Sequence, residues 1–131
     1  MLLSSAAELD GAFVSLVREK DGAAIVQPIF AVDPQDSAKL VQLTLTHRLP
    51  VVCGLRPYAE FGGLITYASD FTDLPRRAAV YVDKILKGAK PGELSVEQPT
   101  RFELIINLKT ARALRLTIPQ LVLLRADRVI E

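Results

Sequence analysis

Tryptophan is absent from this 131-residue sequence, and cysteine, histidine and methionine occur once each. One cysteine excludes an internal disulfide and leaves the redox compartment open. With one histidine and one cysteine there is no zinc-ligand set, and no Cys/His pair beyond His47 and Cys53. Aromatic residues make up only 6% of the chain, too few for a platform on which single-stranded nucleic acid could stack. A formal net charge of +1 gives no electrostatic case for nucleic acid or an anionic membrane. No apolar run approaches the roughly 18 residues that a membrane span needs. The opening MLLSSAAELDGAF lacks the basic region and longer apolar core of a secretory signal, so a chain expressed as given is expected in the cytoplasm.

What is present is periodic. Ser5 and Glu8 have capping-box spacing, and Leu9, Phe13, Leu16 and Val17 then recur at helical period until Asp21-Gly22. AAIVQP (23–28) reads as a short buried strand. Asp33-Pro34 opens a second helix to about His47, with the acid and first-turn proline that helix starts favour, and PVVCGL (50–55) follows as another strand. Two consecutive helix-to-apolar-strand units predict a parallel sheet covered on both faces, an α/β class. After Pro57 the piece AEFGG is expected to be irregular, and LITY (64–67) makes a third strand.

Asp70 or Asp73 is expected to cap a helix whose Leu74, Ala78, Tyr81, Val82 and Ile85 share a face, with Lys84 and Lys87 in the last turn. Gly88 supplies its C-terminal stop. KPGELSVEQPT is extended, RFELII (101–106) is a fourth strand, Asn107 caps a short helix, and IPQLVLLRADRVI is expected to end in another helix. The first element is a helix, whereas a doubly wound sheet starts on a central strand, so the pattern reads as starting one unit late.

No catalytic constellation emerges. His47 suits a helix C-terminus, and Cys53 reads as a buried structural thiol. Gly62-Gly63 precedes a strand rather than a helix, so it is a tight turn and not a phosphate loop. Asp33, Asp36, Asp70 and Asp73 fall at helix starts, where capping accounts for them, and Arg76-Arg77 suits a solvated helix face. No enzyme activity, metal or cofactor is expected.

The segment GGLITYASDFTDLPRRAAVYVDKILKGAKPGELSVEQPTRFELIINLKTARALRLTIP resembles ABC transporter substrate-binding proteins of the tryptophan/tyrosine-type family. The resemblance rests on the glycine pair before a strand ending in Tyr67, on RRAAVYVDKILKGAKPGELSVEQPT, and on FELIINLKTARAL with LTIP in the same order. The helices and strands through HRLPVVCGL agree upstream. It implies a type I periplasmic-binding fold, of which this chain corresponds to the carboxy-terminal lobe, as a fragment or short relative. The whole chain is then one Rossmann-like α/β domain over 1–131, with a hinge or crossover segment at about 62–100.

The resemblance further implies a non-catalytic protein that captures a small organic solute between two lobes in the periplasm and passes it to an ABC permease. Phe30, Tyr67 and Asp70, by their positions at strand ends and hinge, are the residues it places at the solute. Phe30-Ala31 stands where aromatic amino-acid binders of the family carry a polar pair, so the ligand is not fixed. Arg115 replaces the glycine expected after ARAL. With half a cleft, solute affinity is expected to be weak or absent. The alternative is a self-associating interaction module without small-molecule binding. In either case the apolar stripe of the helix around Ala78 to Ile85 predicts a homodimer.

Overall fold

The computed structural model describes residues 5–69 and 73–131. The chain falls into two compact units, Met1–Ala68 with Glu103–Glu131, and Ser69–Phe102. Five strands form one sheet in the order β1-β2-β3-β4-β5: β1 (Ala24–Val26), β2 (Val51–Cys53), β3 (Ile65–Ser69), β4 (Phe102–Asn107) and β5 (Arg128–Ile130). The pairs β1–β2, β2–β3 and β4–β5 are parallel. Asn107, the last residue of β4, donates its N–H to the Leu64 carbonyl just ahead of β3 at 2.9 Å, so those two neighbours run antiparallel. The sheet is therefore mixed. The chain returns at β4 without the crossover to the opposite end that a parallel connection demands.

One face of the sheet is covered by α1 (Leu9–Arg18), α2 (Pro34–His47) and the short α3 (Arg56–Glu60). Leu9 and Phe13 of α1, Leu40 and Leu43 of α2 and Tyr58 of α3 are buried there with Val51 and Cys53 of β2. Ala111 of α5 (Leu108–Ala113) and Leu114 just beyond it cluster with Leu64, Ile65 and Ile118. Helix α2 starts as its sequence dictates: the Asp33 carboxylate accepts the Gln35 N–H at 2.7 Å and Pro34 fills the first turn. Asn107 likewise caps α5, accepting the Thr110 N–H at 3.0 Å.

Several local expectations are corrected. The Ser5 hydroxyl bonds the Glu8 carboxylate at 3.4 Å rather than a backbone amide, so there is no capping box and the entry is a 3-10 turn, Ala6–Glu8. Helix α1 stops before Asp21-Gly22, because Lys20 takes a left-handed conformation at φ 61°. Of the piece expected to be irregular, Ala59 and Glu60 belong to α3, where Pro57 suits a first turn and Tyr58 gains burial, while 61–63 lie outside any helix or strand. The terminal helix is only α6 (Gln120–Leu123). The chain then turns into β5, where Asp127 exchanges two bonds with Leu104, N–H to carboxylate at 2.8 Å and N–H to carbonyl at 2.9 Å.

The Gly62-Gly63 turn has two separate causes. Gly62 holds φ +98°, whereas Gly63 makes room: a Cβ there would lie 2.3 Å from the ring of Tyr58.

The second unit is α4 (Asp73–Leu86) followed by a return strap that, against the expectation of an extended segment, carries a 3-10 turn at Pro91–Glu93. Arg77 holds the strap through Glu97 at 2.9 Å and Thr100 at 3.0 Å, and the Tyr81 hydroxyl donates to the Ser95 carbonyl at 2.5 Å. Tyr81 therefore faces the strap instead of joining an exposed stripe. Val82, Ile85 and Leu86 are exposed. Gly88 ends the helix at φ +101°.

Candidate functional site

Parallel pairing brings the C-terminal ends of β1, β2 and β3 to one edge of the sheet. Each apolar strand is followed there by a residue that changes the chain's direction: Pro28 after β1 and Gly54 after β2. A Cβ on Gly54 would lie 3.3 Å from the Pro28 ring and 3.5 Å from the Tyr67 carbonyl oxygen. Gly54 thus lies beside both the turn after β1 and the neighbouring strand β3. Pro28 opens a 3-10 turn, Pro28–Ala31, whose carbonyl at Ala31 accepts the Ser37 hydroxyl at 2.7 Å. That bond fixes the turn against α2. The Leu55 carbonyl accepts the Thr66 hydroxyl at 3.4 Å, tying the exit of β2 to β3.

Phe30 sits on this turn, half-buried and packed against the core, while its neighbour Ile29 is 69% exposed. Tyr67 is 56% exposed on β3. Phe30, on the turn after β1, and Tyr67, on β3, therefore stand at the same end of the sheet. Asp70, the third residue singled out from the sequence, lies outside the described residues. Sequence reasoning missed Gly54 and Pro28, although a glycine or proline closing an apolar strand is the signal for a close approach.

Among the described residues near this edge, the Cys53 thiol is buried and the Arg56 guanidinium already paired. Cys53, the last residue of β2, is buried, and desolvation pushes its thiol up to about 11, which leaves it protonated and unreactive. Burial likewise lifts the Tyr58 hydroxyl to about 12. The guanidinium of Arg56 contacts the carboxylates of Glu60 at 3.3 Å and Glu103 at 3.5 Å, so its charge is already balanced. His47 lies at the far end of α2, its ring 5.8 Å from that of Phe13. Among the described residues no group of three His, Cys, Asp or Glu side chains could hold a metal ion. None of the described helices is long and apolar enough to cross a membrane.

A separate cleft of about 430 Å³ runs along β1, lined by Leu9, Ala12, Phe13 and Leu16 of α1 and by every residue from Ala23 to Gln27. Phe30 closes one part of it and Asp21 another. Its wall is about as polar as it is apolar.

Comparison with known proteins assigns the architecture. A conserved domain protein of Vibrio cholerae O1 biovar El Tor superposes with a TM-score of 0.80 at 26% identity, over 95% of this chain and 42% of its own. An ABC domain from Streptococcus pneumoniae solved in complex with L-Trp gives the same TM-score and identity over 98% of this chain and 44% of its own. A ligand-free, open substrate-binding protein with adhesive properties from Clostridium difficile shares the fold at 19% identity and a TM-score of 0.61, over 90% of this chain and 39% of its own. The chain thus spans less than half the length of these structures. No curated protein matches it. The profile of the ABC transporter substrate binding protein family matches residues 1–130, and the chain belongs to that family.

Proposed function

We propose that the edge formed by the ends of β1, β2 and β3 is one side of a binding site for a small organic solute, and that the chain binds without catalysing. Phe30 and Tyr67, with Asp70 from the sequence, are the side chains assigned to the solute. The observation that carries this reading is the meeting of Pro28, Gly54 and Tyr67 at the carboxyl ends of parallel strands, where open α/β sheets bind ligands. The bound L-Trp of the pneumococcal relative supports an amino acid as the class of solute. In this reading the solute is handed to an ABC permease, on the periplasmic side of the membrane.

One side of a cleft contributes only part of the desolvated contact, so affinity for a single solute is expected to be roughly millimolar or weaker. Isothermal titration with tryptophan, tyrosine and phenylalanine checks this. A micromolar dissociation constant for any of them would show that this chain holds a complete site.

Self-association is the second reading. It is favoured by apolar surface left bare in both units: Val82 and Leu86 of α4 are 54% and 82% exposed, and Ile25 of β1 is 87% exposed. On this reading the protein is a homodimer.

A further inference from the structure

We propose that Ser37, fully buried in α2, is a positioning residue for the solute site: its hydroxyl holds the Pro28–Ala31 turn, and with it Phe30, at the carboxyl ends of the strands. The proposal rests on the reading of that edge as a solute site and names a determinant of its affinity.

The need for such a group follows from the residues around it. Ala31 closes the turn and is fully buried, so its carbonyl requires a donor from the protein itself. A chain running on into a helix ordinarily supplies one from three or four residues ahead. Neither is available here. Pro34, three residues on, has no N–H, and Gln35 gives its N–H to the Asp33 carboxylate at 2.7 Å. The residues that start α2 cleanly therefore leave the preceding turn without a backbone donor. Ser37 supplies one from inside α2, its hydroxyl 2.7 Å from the Ala31 carbonyl oxygen six residues back.

Packing alone does not call for serine there. A fully buried helix position favours an apolar side chain, and a hydroxyl costs free energy unless it is bonded. Thr44, buried further along the same helix, shows the ordinary solution: its hydroxyl donates to the Leu40 carbonyl four residues back at 2.8 Å. The Ser37 hydroxyl leaves the matching Asp33 carbonyl to its own N–H, which bonds it at 2.9 Å, and reaches out of the helix instead. At the other end of the turn the Phe30 N–H bonds the Gln27 carbonyl at 3.1 Å, next to β1. The backbone at Phe30 is thus tied to the sheet on one side and to α2 on the other. A contact residue held in place before the solute arrives spares the cost of ordering it on binding.

Tryptophan titrations followed by amide chemical shifts test the role. Ser37→Ala, which leaves the Ala31 carbonyl unpaired, should raise the apparent dissociation constant roughly threefold to tenfold, and Ser37→Thr, which keeps the donor, should restore it. Thr44→Val removes a buried hydroxyl of the same helix without touching the turn. It should lower stability in urea melts and leave the affinity as it was. Should Ser37→Ala fail to fold, Ser37→Cys keeps the volume while weakening the donor, and the same rise is expected. A folded variant without the hydroxyl at residue 37 that binds as tightly as the unaltered chain overturns the role and leaves the site standing. An equal loss in Thr44→Val overturns it too, because affinity then follows stability rather than the turn. If the unaltered chain shows no shifts at residues 27–31, 54–56 or 66–68, the site reading fails and this role fails with it.

Discussion

Cys53 and Tyr58 show how burial alone sets side-chain chemistry in this protein. Both are fully enclosed, and desolvation raises the thiol from its ordinary 9.0 to about 11 and the phenol from 10.0 to about 12. Because the folded values lie above the unfolded ones, the neutral forms favour the fold. That contribution is complete below the unfolded values and is lost as pH rises through the folded ones. Urea melts should therefore show stability falling between pH 9 and pH 12, by up to roughly 2–3 kcal/mol for each group. Cys53→Ala should flatten the lower part of that fall. A thiol reagent should label the native protein only as fast as it opens. Prompt labelling near neutral pH would contradict the buried assignment. The buried thiol was legible from PVVCGL, an apolar strand with no basic neighbour. The enclosure of Tyr58 was not, because it depends on Gly63 leaving space for a ring five residues away, and a glycine pair signals backbone freedom before it signals room.

At the scale of elements, helix ends make a matched pair of predictions. Gly88 and Arg115 both hold left-handed backbone, at φ +101° and +60°, and no atom within 4 Å would crowd a Cβ on Gly88. Forcing a Cβ into that region costs about 1 kcal/mol. Gly88→Ala should therefore destabilise by that order, and Arg115→Gly should stabilise by slightly less, because glycine gives up more chain freedom on folding. Thermal melts of the two variants check both signs; equal signs would show that something other than backbone conformation governs the ends. The glycine stop, the Asp33 and Asn107 caps and the first four strands could be read from local chemistry, since each depends on residues within a turn of one another. Strand β5 could not. Its three residues, Arg128 to Ile130, become a strand by pairing with Ile105 to Asn107, a partnership that no local period encodes. The antiparallel entry of β4 escaped for the same reason.

For the molecule as a whole, family and fold class were legible because a long ordered motif runs from Gly62 to Pro119 and the upstream helices and strands agree with it, and the family profile spans residues 1–130. The site was legible only in outline. Phe30 and Tyr67 were chosen from positions at strand ends, and the structure adds Gly54, beside the Pro28 ring and the Tyr67 carbonyl. The central claim is that solute recognition occurs at this edge. Amide chemical-shift mapping with tryptophan at increasing concentration tests it most directly. The account predicts progressive, weakly saturating shifts confined to residues 27–31, 54–56 and 66–68, with the cleft-lining residues of α1 unmoved. Shifts centred on α1 and residues 23–26, with the Gly54 region silent, would contradict it.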